Sequence, residues 1–489
     1  MGTRFPDQFI YQGFMAPCRF EGDIYELEVE GGIPAELNGV FYRVGPDPFL
    51  PPRLGKDIAF NGDGMVTSFT FENGHVDFKC RYARTTKYLL ERQARKALFG
   101  AYRNPFTDDP AVAGQIRGTA NTGIVLHGGK LFALKEDSPP LAMDPLSLET
   151  TGYYDFGGKL ISKTFTAHPK VDPGTGELLA FGYAAKGETT RDIAYYVISP
   201  EGEIVHEAWF QAPYSAMVHD FVITDEYVAF PIAPITSDLE RLKAGGSHFM
   251  FDESKDVQIG VLPRRGKGGE VRWFHGPSRF AAHFVNGFQE GRKLHIDGPV
   301  AMGNAFPFFP DINGKPFDEQ KSLCRLSRWT VDLDSNDDGF TQAELSPAVG
   351  EFPIMDGRFT GRQYTYAFML VQNPDKAFAQ GQKMMFNTLA RINVRTGATD
   401  YYTGKLTEVF QEPIFIPKSE TASEGDGYLA MIVTLLDEQR SDLLLIDASD
   451  IAAGPIATVR LPIRLRPGLH GFWASRNYLD EQLRRVISQ

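Results

Sequence analysis

Cysteine is scarce in this sequence. Three thiols, Cys18, Cys80 and Cys324, are spread over 489 residues. An odd, widely spaced set argues against a disulfide framework and for a reducing compartment. Long apolar runs are missing too. The longest, Leu429 to Leu436, includes Thr434 and falls far short of the roughly 20 residues a membrane helix needs. Met1 to Phe14 contains no apolar stretch of the secretory kind, so no transmembrane anchor and a cytoplasmic location are expected. A basic excess is also absent. Fifty Lys and Arg face 62 Asp and Glu, a net charge of −12, which excludes a phosphate-tracking surface and hence a nucleic-acid partner. No Pro/Ser/Gly-rich linker or charge block divides the chain. One large domain over residues 1–489 is therefore expected, although the length would allow several.

Nucleotide and calcium motifs are lacking as well. There is no Walker-type loop, and Gly62-Asp63-Gly64 is too short for a dinucleotide fingerprint. Asp334-Ser335-Asn336-Asp337-Asp338-Gly339 opens like an EF-hand loop. Its twelfth position is Leu345, where a bidentate Glu is required, and Glu344 comes one residue early. A solvated acidic turn is the reading that remains.

What the chain has is β texture. Short runs of Val, Ile, Phe, Tyr and Thr alternate with turn residues. Asn73-Gly74 between Phe69–Glu72 and His75–Phe78 is a strong hairpin signal. A loose strand–turn–strand repeat recurs, as at Leu141–Pro145, Tyr196–Pro200, Arg391–Val394 and Leu444–Ala448. The second strands follow at Gly152–Phe156, Ile204–Phe210, Thr399–Tyr402 and Ala457–Leu461. Small sheets repeated around an axis, the propeller solution to exposed edges, suit this texture and length better than a sandwich. The main helical break is Lys87 to Tyr102, where Leu90, Ala94, Leu98 and Tyr102 recur at a helical interval. It predicts a cap helix near 87–103 over one face.

Four histidines stand out: Thr-Ala-His168-Pro, Met-Val-His219-Asp, Ala-Ala-His283-Phe and Gly-Leu-His470-Gly. Each has apolar or small neighbours, where a solvated histidine would more often have charged ones. Their wide separation rules out a zinc finger or a pair on one helix. It suits ligands delivered singly by separate units of a repeating fold. Four neutral imidazoles without thiolate favour Fe(II), Cu, Zn or Ni over Mg or Ca. Four buried, satisfied histidines are the alternative. Three glutamates, Glu136, Glu351 and Glu412, lie in apolar or Pro-bounded strand-like stretches, odd places for an unpartnered carboxylate. Each could fix an imidazole through its second ring nitrogen. Exposed strand-edge acids would look the same by spacing.

Taken in order, a further set of segments resembles the carotenoid cleavage oxygenases. They include Tyr42-Arg43-Val44-Gly45-Pro46-Asp47-Pro48, Phe60-Asn61-Gly62-Asp63-Gly64-Met65 and Thr119-Ala120-Asn121-Thr122. His168-Pro169-Lys170-Val171-Asp172-Pro173, His219-Asp220-Phe221, His283-Phe284-Val285-Asn286-Gly287-Phe288, Glu351-Phe352-Pro353, Glu412-Pro413 and Leu469-His470-Gly471 complete it. The match covers nearly the whole chain. Asp47 departs from it mildly, standing where many members have Asn.

The resemblance implies an all-β fold, a seven-bladed β-propeller with a loop and helix cap. It implies one Fe(II) per chain on His168, His219, His283 and His470, with O2 as co-substrate. Glu136, Glu351 and Glu412 match glutamates that hold three of the imidazoles, and His168 matches the ligand that lacks one. Thr122 matches a threonine that crowds an open iron position.

Within the family, Phe99–Pro105, Arg117–Thr119, Lys135–Pro139 and Asn304–Asp311 are most similar to the bacterial lignostilbene dioxygenase branch. That implies cleavage of the central C=C of a 4-hydroxystilbene to two aldehydes such as vanillin. Tyr102 and Lys135 would hold the 4-hydroxyl, and Phe60 and Phe306 would bracket the rings. Apart from the resemblance, Lys135 reads as a surface strand lysine. A phenylpropene such as isoeugenol, an apocarotenoid, a zinc hydrolase or a metal-free binding propeller are the other readings. The oligomeric state stays open, with a homodimer among the expectations.

Overall fold

A computed structural model describes residues 4–372 and 385–487. Its sheets are antiparallel and follow one another along the chain, each made largely of consecutive strands. Lys130–Leu134 sits in a four-stranded sheet, as do Leu178–Tyr183 and Val257–Pro263. The seven-stranded sheet is two blades sharing the long strand Phe340–Met355. Its first part pairs with Arg325–Asp332 and its last part with Tyr366–Val371. Two further sheets bring the ends of the chain together. Gly471–Ser475 pairs with Gly39–Pro46, and Glu28–Gly31 pairs with Pro455–Arg460. The result is the seven-bladed ring expected, with the N- and C-terminal segments closing it twice.

The sequence pattern explains the layering. Strands packed on both faces are almost continuously apolar and wholly buried, as in Gly427–Leu435. The outermost strand Ile204–Gln211 has alternate residues open to solvent along most of its length. The Asn73-Gly74 turn forms as expected. Glu72 pairs with His75, and both turn residues take positive φ, 51° and 87°, which the right-handed twist of a two-residue hairpin requires. The acidic segment 334–339 is a surface turn, where Asp334 meets Arg292.

The cap helix is shorter than the expected 87–103. It runs Thr86–Ala94 and ends at Arg95, which takes the left-handed conformation (φ 54°). The cause lies in Glu91. Its carboxylate accepts the backbone N–H of Leu98 and Phe99 at 2.8 and 2.9 Å, so the chain turns back on the helix. Leu98 and Tyr102 continue the helical spacing only in sequence. Among the second strands, the one expected over Gly152–Phe156 runs Thr150–Tyr153 instead, and Phe156 lies beyond it with φ of 53°.

Candidate metal centre

The four histidines converge. One ring nitrogen from each lies within 4.8 Å of the others. The His168 and His219 Nε2 atoms are 3.1 Å apart, and so are those of His219 and His283. The local rule is the same each time. His168, His219, His283 and His470 each fall one to three residues before an edge strand of a sheet, namely Lys170–Val171, Val222–Ile223, Asn286–Glu290 and Gly471–Ser475. Each blade therefore presents its imidazole at the axis from the residues that lead into its innermost strand.

The three remaining blades supply the glutamates. Glu136 follows Lys130–Leu134, Glu351 lies in Phe340–Met355 where it begins to pair with Tyr366–Val371, and Glu412 sits between Glu408–Phe410 and Ile414–Pro417. Glu136 meets His219 Nδ1 at 2.5 Å, Glu351 meets His283 Nδ1 at 2.7 Å, and Glu412 meets His470 Nδ1 at 2.8 Å. A carboxylate on Nδ1 fixes the tautomer that leaves Nε2 free to face the axis. Among the described residues, His168 has no such partner. It is held by its chain instead, its backbone N–H donating to Thr166 Oγ1 at 2.9 Å.

The electrostatics suit a cation. Burial first, then the neighbouring imidazoles, hold His168 well below the usual histidine range. Burial also lowers His470, and Glu412 only partly offsets it. For His283 burial acts downward, but Glu351, Asp220 and Glu412 together outweigh it, so the ring is raised. Burial pushes Glu136 up, yet His219, Lys135 and Arg103 together hold it far below the usual carboxylate range. Four clustered nitrogen donors, three of them oriented by carboxylates, form a donor set for a divalent transition metal.

One further network was not legible in the sequence. Asp220 accepts the backbone N–H of Phe284 at 2.9 Å and pairs with Lys170 at 2.7 Å. It thereby links the segments that carry His168, His219 and His283. Phe352 was missed as well. Its φ is +56°, at a register shift between Glu351 and Ile354, and its ring stacks on His283 at 5.7 Å. The bulge turns Glu351 toward its imidazole, a use of strain typical of functional sites. The only sequence hint was the Glu-Phe-Pro triplet.

A cavity of about 150 Å3 opens beside His219, His283 and His470. Phe60, Tyr102, Thr122, Lys135, Glu136 and Phe306 all line it. Lys135 is buried, against the surface-lysine reading, and its Nζ donates to Thr122 Oγ1 at 3.1 Å. The ammonium lies 5.1 Å from the Tyr102 ring centre and 5.9 Å from that of Phe60. Burial raises the Tyr102 phenol, with Lys135 opposing, so the hydroxyl stays a neutral donor. Asn121 holds the loop bearing Phe60 by donating to the Phe60 and Gly62 carbonyls at 2.9 and 2.7 Å. Phe308, unforeseen, joins Phe60 and Phe306 at ring distances of 5.2 and 5.0 Å. A wider cavity of about 1190 Å3 also reaches His168 and His470 but carries neither Lys135 nor Tyr102.

A ring of blades with four axial histidines defines a propeller with a candidate metal centre, and comparison gives its family. The family model of the retinal pigment epithelial membrane protein matches residues 15–475. The chain belongs to that family, the carotenoid cleavage oxygenases, and is an alkene-cleaving oxygenase. It is 49% identical to lignostilbene-α,β-dioxygenase isozyme III of Sphingomonas paucimobilis over 98% of this chain and 99% of that one. Isoeugenol monooxygenase of Pseudomonas nitroreducens is 46% identical over 95% and 97%. The crystal structure of Pseudomonas brassicacearum lignostilbene dioxygenase superposes with a TM-score of 0.93 at 45% identity, covering 97% of this chain and all of that one. Among the described residues, no helix is long and apolar enough to cross a membrane.

Proposed function

We propose that the protein is an iron(II) dioxygenase that splits the central C=C of a 4-hydroxystilbene with O2, giving two aromatic aldehydes. Lignostilbene would give two molecules of vanillin. The observation that carries the reading is Lys135, a buried ammonium beside Tyr102 in an aromatic cavity that opens on the histidine cluster. His168, His219, His283 and His470 would hold the iron, and Glu136, Glu351 and Glu412 would orient three of them. Iron(II) bound there would supply the oxygen-activating redox chemistry.

The chain's own residues prepare the substrate. The Lys135 ammonium favours the phenolate over the phenol, and the Tyr102 hydroxyl donates to the same oxygen. Conjugation carries that charge through the ring onto the alkene, which becomes the electron-rich partner of O2. One oxygen atom then goes to each alkene carbon. Phe60 and Phe306 hold the rings flat, so the alkene stays conjugated and close to the centre. Thr122 accepts from Lys135 and fixes the ammonium toward the phenol end. The reading takes the chain as one ring-shaped domain working in the cytoplasm, where its three free thiols stay reduced.

Isoeugenol is the second reading, supported by the similarity to isoeugenol monooxygenase; its phenol would use the same two residues. The test is anaerobic loading with Fe(II), then O2 with lignostilbene, resveratrol, isoeugenol and a β-apocarotenal in parallel. Aldehydes from the phenolic stilbenes are expected. Aldehydes from isoeugenol alone would move the second reading to first place, and cleavage of the apocarotenal alone would overturn both.

A further inference from the structure

Arg43 lies in the strand Gly39–Pro46, away from the substrate cavity, and its side chain is wholly buried. Among the described residues, its Nε, Nη1 and Nη2 find no hydrogen-bond partner. Burial pulls its pKa down to about 10, and Glu412, which already serves His470, opposes that. The guanidinium therefore stays charged at neutral pH. A buried cation without a partner is among the most unfavourable arrangements a protein can hold.

The surroundings leave room for a partner. Arg43 lines a small cavity of about 30 Å3 with Thr67, Cys80, Gln411, Arg466 and Gly468. Gly468 is cleared for the guanidinium: a Cβ there would stand 2.6 Å from Arg43 Nε. Its own N–H donates to Gln411 Oε1 at 2.9 Å, which pins that wall of the cavity. Arg466 adds a second buried cation, and it spends its nitrogens on the backbone carbonyls of Ile10, Met15 and Pro46. Those carbonyls carry no charge. Asp47 is the one carboxylate on the cavity wall, and it is taken up by the N–H groups of Cys18 and Arg19 and by the attraction of Arg466.

We infer that this cavity is a binding site for a single monatomic anion of chloride size, held by the Arg43 guanidinium. The small volume favours one such ion over sulfate, phosphate or a carboxylate. The ion would balance the charge of Arg43.

Bromide decides the matter in the native protein. Crystals grown without halide and soaked in bromide are measured at the bromine absorption edge. An anomalous peak within hydrogen-bonding reach of the Arg43 nitrogens is expected. Ordered water there without a peak, or peaks confined to the surface, would mean an adventitious ion only and overturn the proposal. In solution, thermal unfolding is compared in chloride and gluconate at constant ionic strength. A saturating rise in Tm with chloride alone is expected, as for any ligand that binds only the folded state. Arg43→Gln should abolish that rise; a chloride response that persists in it would place the ion elsewhere. Should that variant fail to fold, the bromide map of the native protein still decides.

Discussion

At the scale of single residues, each imidazole and each carboxylate has a separable part. Replacing any one of His168, His219, His283 or His470 by Ala should nearly abolish both iron content and turnover, measured by metal analysis and aldehyde release. Glu136→Gln, Glu351→Gln or Glu412→Gln keeps the shape but removes the charge on Nδ1. Losses of about 10- to 100-fold in iron affinity or rate are expected. If all three variants matched the native protein, the carboxylates would be structural only.

Asp47 makes a prediction about pH. Burial pushes this carboxyl up to about 6, against the pull of Arg466 and the Arg19 and Cys18 amides. The folded state keeps its proton where the unfolded chain, near 4, has released it. Stability is therefore lost as pH rises from about 4 to about 6, and the loss is complete above that. Asp47→Asn removes the penalty. Its urea stability at pH 8 should exceed that of the native protein by up to about 3 kcal/mol, with the difference fading toward pH 4. An equal slope with pH in both proteins would show that Asp47 does not titrate in this window.

At the scale of elements, the short cap helix determines where Tyr102 sits. Glu91 ties its last turns to Leu98 and Phe99 and pairs with Lys87 at 2.9 Å, which pairs in turn with Asp63 at 2.8 Å. All three charged groups are buried. Glu91→Ala leaves Lys87 with one acid and frees two amides, and breaking such a pair costs about 3–5 kcal/mol. The variant should unfold at lower urea, keep its iron, and show a raised KM for the phenolic substrate as Tyr102 loosens. A loss of iron with unchanged KM would contradict that division of labour between ring and cap.

This helix also shows where the sequence stops being legible. Helical spacing from Leu90 to Tyr102 is a local signal, and it overran because the stop is a side-chain contact from Glu91 to two amides. The hairpin at Asn73-Gly74 was legible because turn chemistry is local. His168, His219, His283 and His470 could be picked out by their apolar neighbours, but their convergence needs the ring. Asp220 and Phe352 gave no such sign. One acts through a backbone amide 64 residues away, the other through a bulge in a strand shared by two blades.

At the scale of the whole molecule, each of the seven blades contributes one residue to the axis, four as imidazoles and three as the carboxylates that orient them. Closure of the ring matters to the site for this reason. His470 leads directly into Gly471–Ser475, the strand that pairs with Gly39–Pro46 and joins the two ends of the chain. The cavity beside the site draws on both parts, Lys135 from the end of a ring strand and Tyr102 from the segment after the cap helix. The named relatives suit this division, since the similarity spans ring and cap together.

The central claim is that Lys135 and Tyr102 activate a phenol oxygen on the substrate. The most direct measurement compares turnover of a 4-hydroxystilbene and its 4-methoxy ether by the iron-loaded native protein and by Lys135→Met. Losing a charge-assisted hydrogen bond costs about 1.5–3 kcal/mol, or roughly 10- to 150-fold, before any loss of phenolate activation. Lys135→Met should therefore keep its iron and lose most of its rate on the phenol. The ether should already be poor with the native protein, and the substitution should add little, because both changes remove one interaction. Cleavage of the ether by the native protein as fast as the phenol would contradict the account.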